Sequence, residues 1–155
     1  MMREPTDAGD ICTRIVSIAS PSMALNEAAR LMRDRHVGCL VVVEQASAAE
    51  QVVVGMLTDR DIAVGVVAAD RDPHGMRVAD VMTRHVITAG EHDSLLDLLA
   101  AMRRKGVRRM PVTQPQGALI GIVALDDVLE VLAQQMQAVA SAVNAAGRHE
   151  QAAQP

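Results

Sequence analysis

The chain has 155 residues, of which 50% are hydrophobic and 22% charged, and its formal net charge is −4. That length and apolar content suit one compact domain, or two small repeats sharing a core, and exclude disorder over the bulk of the chain. The acidic balance and the complete absence of Phe, Tyr and Trp oppose nucleic acid as a partner, because binding a strand rests on cationic phosphate contacts and aromatic stacking platforms.

Residues 1–9 are acidic without an apolar run and read as an N-terminal arm, not as a signal peptide. A β-rich run at 15–18 precedes a helix whose apolar positions, Leu25, Ala28, Ala29, Leu31 and Met32, fall at helical spacing. Strands are predicted at 39–43 and 52–57, with a polar loop between them. The continuous valines predict strands buried on both faces. A helix opens at Thr58, and 68–77, containing Asp72-Pro73-His74-Gly75, reads as a linker.

The pattern then restarts. A β-rich run at 86–88 leads to a helix with Ser94 as its N-cap and Leu95, Leu98, Leu99 and Met102 on one face. Strands follow at 110–113 and 119–123, and the last helix opens at Leu125. Its stripe of Leu129, Leu132, Met136, Val139 and Val143 alternates three- and four-residue steps, as coiled coils do. The stripe packs either on its own module or on a second copy in a homodimer. From Gly147 onward the chain reads as a frayed terminus. No apolar stretch is long enough for a bilayer, so no membrane is expected. Two cysteines, Cys12 and Cys39, make no disulfide framework and point to a reducing cytoplasm.

The restart is a true internal repeat. Asp10, Thr13, Arg14 and Val16 recur as Asp80, Thr83, Arg84 and Val86, an offset of 70 residues. Leu25, Met32, Val37 and Val42 map to Leu95, Met102, Val107 and Val112 at the same offset. Beyond the loop the offset becomes 66, with Gly55 mapping to Gly121 and Asp61 to Asp127. The organisation expected is an arm at 1–9, repeat one at 10–67, a linker at 68–77, repeat two at 78–133 and a helical extension with frayed tail at 134–155.

These residues resemble a tandem pair of cystathionine-β-synthase (CBS) domains, a Bateman module, of the stand-alone bacterial type. Asp80-Val81-Met82-Thr83, Gly106-Val107-Arg108-Arg109-Met110-Pro111-Val112, Gly55-Met56-Leu57-Thr58-Asp59-Arg60-Asp61 and Gly121-Ile122-Val123-Ala124-Leu125-Asp126-Asp127 carry the likeness. The resemblance implies an α+β fold of two β-α-β-β-α repeats packed around a pseudo-twofold axis. It also implies two clefts and an adenosine-containing ligand such as AMP, ADP, ATP or S-adenosylmethionine.

Thr58 and Asp61 are the sharpest candidates. A carboxylate accepts hydrogen bonds from two neighbouring hydroxyls, which suits the cis-diol of ribose, and a threonine hydroxyl can donate to phosphate. The positive end of the helix adds to phosphate attraction, and Gly55 admits close approach of backbone. The same two residues also read as a helix cap, and the two roles are compatible. Asp127 keeps the carboxylate in the second copy, but Ala124 replaces the threonine, so the Asp61 cleft is expected to be the better site. Arg108 and Arg109 are candidate phosphate partners, Arg being suited to bidentate pairing. Arg103, Arg104 and Lys105 read as a solvated basic face. In the architecture that the resemblance implies, the leading strand of one repeat lies against the other, which makes Thr13, Val16, Thr83 and Val86 candidates for cleft walls; Val16 and Val86 read either as an adenine sandwich or as core valines.

The five histidines show no metal spacing, no nucleotide-binding glycine loop or catalytic motif is present, and Cys39 reads as a small hydrophobe at a strand edge. No catalytic residue, metal or required cofactor is expected. The function expected is therefore a non-catalytic sensor of adenosine ligands that signals to a protein target by a change of shape or oligomeric state. An interaction module without a ligand is the second reading, favoured by Ala124. A nucleic-acid binder using Arg103 to Arg109 stands third.

Overall fold

The computed structural model describes residues 7–153. Its elements run α1 (Ala8–Ile11), β1 (Ile18–Ala19), α2 (Leu25–Arg35), β2 (Cys39–Gln45), β3 (Gln51–Thr58), α3 (Asp59–Ile62), β4 (Thr83–Arg84), β5 (Ala89–Gly90), α4 (Leu95–Lys105), β6 (Arg109–Thr113), β7 (Leu119–Ala124) and α5 (Leu125–Ala153). A π-helical turn, Ala63–Val67, continues α3, and a 3-10 turn, Val78–Asp80, precedes β4.

The repeat is visible in the register. In each half a two-residue strand pairs in parallel with the next strand, which pairs antiparallel with the third. Both hairpins carry a bulge at the same place, between Val42 and Val43 and between Val112 and Thr113. Such a bulge adds local twist. The connecting helices bury one stripe each: Leu25, Ala28 and Met32 in α2, Leu95, Leu98 and Met102 in α4. Both end on a left-handed residue that stops the helix, His36 at φ 54° and Gly106 at φ 65°. Ser94 caps α4 as expected, accepting from the Asp97 amide. Strand β2 is buried from Leu40 to Val43, as the valine run predicted.

The two cores do not follow the two sequence repeats. One contains Leu25, Leu40, Leu57 and Val66 together with Val78 and Met82, which come from the start of the second copy. The other contains Leu98, Met110, Val123 and Val128 together with Ala8, from the start of the first. Strand β4 pairs with β3, placing Thr83 opposite Met56, and an isolated bridge places Thr13 opposite Ile122 in the equivalent position. Each repeat thus lends its leading segment to the other. Of the arm expected at 1–9, residues 1–6 lie outside the described residues. Ala8 and Gly9 are buried, held by bonds from their amides to the Asp93 and Glu91 carbonyls.

Three local expectations are corrected. The leading strands lie at Ile18–Ala19 and Ala89–Gly90, not at 15–18 and 86–88. Of the first run only Ile18 lies in the strand, with the Ser17 carbonyl also accepting from the Val41 amide, while Ile15 is 88% exposed; in the second copy the strand begins one residue past the run. The first closing helix is only four residues of α-helix before it widens. The last helix continues through Gly147 to Ala153, where a frayed end was expected. Alanine is the strongest helix former, and the alanine-rich composition there outweighs one glycine.

Candidate functional site: two clefts between the repeats

The exchange of leading segments creates two clefts related by the repeat. The larger, about 490 Å³, is lined by Thr58 and Asp61, by Thr83 and Val86 from the second copy's leader, and by Val107, Arg108 and Arg109. The smaller, about 300 Å³, is bounded by Asp127 and Ala124, by Thr13 and Val16 from the first copy's leader, and by His36 and Val37. Small-molecule sites span about 300–1,000 Å³, so the first lies well inside that range and the second at its lower edge.

Thr58 and Asp61 meet as the sequence predicted, and they do so through a cap. The Asp61 amide donates to Thr58 Oγ1 at 3.0 Å, and the Thr58 amide donates to Asp61 Oδ2 at 2.9 Å. This fixes both side chains at the cleft mouth without exhausting them. A carboxylate accepts about four hydrogen bonds, and a hydroxyl that accepts one still has its proton to donate. In the other cleft Asp127 Oδ2 accepts from the Ala124 amide at 2.7 Å. Ala124 offers no oxygen in return, so only half of the reciprocal pair forms.

The charges are arranged unevenly. Arg109 borders both clefts and forms no ion pair with any described residue. Arg108 reaches Asp126 at 3.7 Å, both side chains being 75% exposed; such a pair is weak. Helix α3 and its π-helical continuation run from Asp59 to Val67, and Arg60, Arg108 and Arg109 are the cationic side chains lining the larger cleft. Arg103, Arg104 and Lys105 lie exposed in the last turn of α4, although Lys105 borders a side pocket of about 180 Å³ next to Val86.

One expectation about the walls changes. Val16 and Val86 stand in different clefts, so they do not sandwich one base. Met56, Val86 and Val107 form the apolar wall of the larger cleft instead. Gly55 admits the close approach of backbone that was expected, and the backbone is that of Thr83.

Residues 38 and 39 were missed by reasoning from motifs. Gly38 and Cys39 border both clefts. A signal was available: at the offset of 70 they are the counterparts of Arg108 and Arg109. Burial pushes the Cys39 thiol above its usual range, and the nearby Arg109 guanidinium partly offsets this. Cys12 is raised for the same first reason. Among the described residues no group of three or more His, Cys, Asp or Glu side chains is placed to hold a metal ion, and no helix is long and apolar enough to cross a membrane.

The comparisons with known proteins agree with this architecture. The family model described as CBS domain matches residues 8–67 and again 78–134. The chain is 40% identical over 119 residues to the CBS domain-containing protein YhcV of Bacillus subtilis, covering 77% of this chain and 80% of that protein. It is 32% identical over 123 residues to protein MK0525 of Methanopyrus kandleri, covering 79% of this chain but only 61% of that longer protein. Among solved structures, a conserved protein of Pyrococcus horikoshii superposes with a TM-score of 0.70 at 29% identity, covering 83% of this chain and 93% of the other. The CBS domain pair of protein MJ0100, solved in complex with 5′-methylthioadenosine and S-adenosyl-L-methionine, has the same fold, with a TM-score of 0.70 at 24% identity, covering 82% of this chain and 99% of the other.

Proposed function

Because the chain belongs to the CBS domain family and carries the domain as a tandem pair, we propose that it is a regulatory module whose Asp61 cleft binds an adenosine-type ligand. The observation that carries this reading is the cap-fixed pair Thr58 and Asp61 in the lining of the larger cleft, which Arg108 and Arg109 also line. Asp61 would accept from the two ribose hydroxyls, Thr58 would donate to phosphate, and Arg109 would pair with phosphate. The base would lie against Met56, Val86 and Val107, aliphatic contacts taking the place of ring stacking. The adenosine-bound structure of the MJ0100 pair shares only the fold at its level of identity, so support for the ligand class rests on this chain's own residues.

The cleft is built from both halves, with Thr83 and Val86 supplied across the exchange. A ligand there would bridge the two cores and favour one relative placement of them, which a protein target would read as a change of shape. The role is one of sensing, not catalysis, and two free thiols fit a reducing, cytoplasmic setting.

The experiment is a thermal-shift panel of AMP, ADP, ATP, S-adenosylmethionine and NAD against wild type and Asp61→Ala. At least one ligand raises the melting temperature of wild type and not of the variant. No shift with any of the five contradicts the proposal. It would favour the second reading, a ligand-free interaction module, which the missing hydroxyl at Ala124 supports in the smaller cleft.

A further inference from the structure

Helix α5 leaves the body of the molecule after its second turn. Val128 and Val131 are buried, Leu132 is half-buried, and every residue from 133 to 153 is exposed. At 1.5 Å per residue the free part extends roughly 30 Å into solvent. It does not pack on its own module, which removes one of the two placements the sequence allowed. Yet it carries Leu129, Met136, Val139 and Val143 at 56%, 70%, 59% and 65% exposure, and residues 131–147 include no Asp, Glu, Lys or Arg. A surface helix normally turns such a stripe toward something.

We propose that the stripe is covered by α5 of a second copy, running antiparallel. The argument is self-complementarity. Leu129, Met136 and Val143 repeat every seven residues, and so do Leu132, Val139 and Ala146, the two sets forming one seam. When the helix is set against an inverted copy of itself, Leu129 lies opposite Ala146, Leu132 opposite Val143 and Met136 opposite Val139. The twofold axis then repeats the three layers, giving six with no polar residue in any. One flank of the seam carries Ala133, Ala140 and Gly147 and the other Val128, Gln135 and Ala142, so Gln135 is the one long side chain beside it.

Charge selects the direction. The start of α5 is acidic, with Asp126, Asp127 and Glu130, whereas at its end Arg148 and Glu150 balance. A parallel pair sets acid beside acid, which is unfavourable. The antiparallel register sets the acidic start of one helix beside the neutral end of the other. Glu150 falls at the next seam position and terminates the stripe. The interface lies outside both clefts, so it stands or falls independently of the ligand.

Sedimentation equilibrium of the full-length protein tests this. The wild type is a dimer at about 50 µM, and Met136→Lys with Val139→Lys weakens association at least tenfold. Both positions are solvent-exposed in one copy, so an unchanged circular dichroism spectrum and melting temperature at low concentration show that the doubly substituted chain still folds. Direction is read in a background with Cys12→Ala and Cys39→Ala. An equimolar mixture of Leu129→Cys and Ala146→Cys chains gives the mixed disulfide, and Leu129→Cys alone, about 25 Å from its own copy along the antiparallel pair, cross-links poorly. A monomeric wild type, an undiminished dimer in the doubly substituted chain, or efficient Leu129→Cys self-cross-linking without the mixed species would each overturn the proposal.

Discussion

Gly55 sits so close to Thr83 that a β-carbon on it would stand 2.7 Å from the Thr83 carbonyl oxygen. Gly121 and Thr13 repeat this relationship at the same distance, with the Cys12 sulfur also 2.7 Å away. These are the two points where a leading segment crosses onto the hairpin of the other half. The glycines are needed because another backbone occupies the space where a side chain would begin. Gly55→Ala or Gly121→Ala should therefore destabilise by about 1–3 kcal/mol, the usual cost of overpacking. Urea denaturation measures it. A loss below about 0.5 kcal/mol, the level of an ordinary surface substitution, means that the crossing is not tight.

The half-formed cap at Ala124 suggests a gain. Ala124→Thr supplies the oxygen that the Asp127 amide lacks and reproduces the arrangement of Thr58 and Asp61. The expected effect is about 1 kcal/mol of added stability, and Thr58→Ala should lose about as much. Thermal melts of both variants, with and without AMP, also show whether the second cleft gains affinity once the hydroxyl is in place. A neutral or destabilising Ala124→Thr contradicts the equivalence of the two caps.

The thiols give a pH dependence of definite sign. Burial raises Cys39 and Cys12 in the folded chain. An acid whose folded pKa exceeds its unfolded value contributes stability that is fully present below the unfolded value and lost as pH rises through the folded one. Stability should thus fall on the alkaline side of the ordinary thiol range, and Cys39→Ala should reduce that loss. Melting temperatures across that range check the slope. Cys39 borders the larger cleft, so its alkylation by iodoacetamide, slow at neutral pH for a protonated thiol, should slow further with bound nucleotide. Labelling that ignores nucleotide places the ligand elsewhere.

Arg109 and Arg108 should separate. Arg108 shares its charge with Asp126, whereas Arg109 is unpaired among the described residues and borders both clefts. Arg109→Ala should weaken AMP by roughly tenfold, the order of one charge-assisted bond, and leave adenosine little affected. Arg108→Ala should do less. Equal losses for AMP and adenosine in Arg109→Ala would mean a packing role and not a phosphate contact.

Much of this was legible in the chain. The offsets of 70 and 66 located matching strands and helices, because a repeated pattern of side chains demands a repeated backbone. Thr58 and Asp61 were legible because a cap is local, made within three residues. The exchange of leaders was expected only through the family resemblance, because periodicity says which residues correspond, not which copy they pair with. The partners themselves, Ile122 for Thr13 and Met56 for Thr83, came from the register. Periodicity equally does not say which cleft a residue joins, and so Val16 and Val86 were read as walls of one base. Cys39 was passed over because its role comes from lying where two clefts meet, which no local pattern expresses. The free length of α5 was hidden because a stripe of apolar residues looks the same whether its cover lies in the same chain or in another.

The central claim is that the Asp61 carboxylate holds the sugar of an adenosine ligand. Titration calorimetry of AMP and ATP into wild type and Asp61→Asn tests it most directly, because asparagine keeps an oxygen for the Thr58 amide and so spares the cap. Saturable binding to wild type, weakened at least about tenfold, or 1.4 kcal/mol, in a variant whose melting temperature without ligand is unchanged, is the predicted result. Equal affinity in the two proteins, or no binding of either nucleotide to wild type, would contradict it.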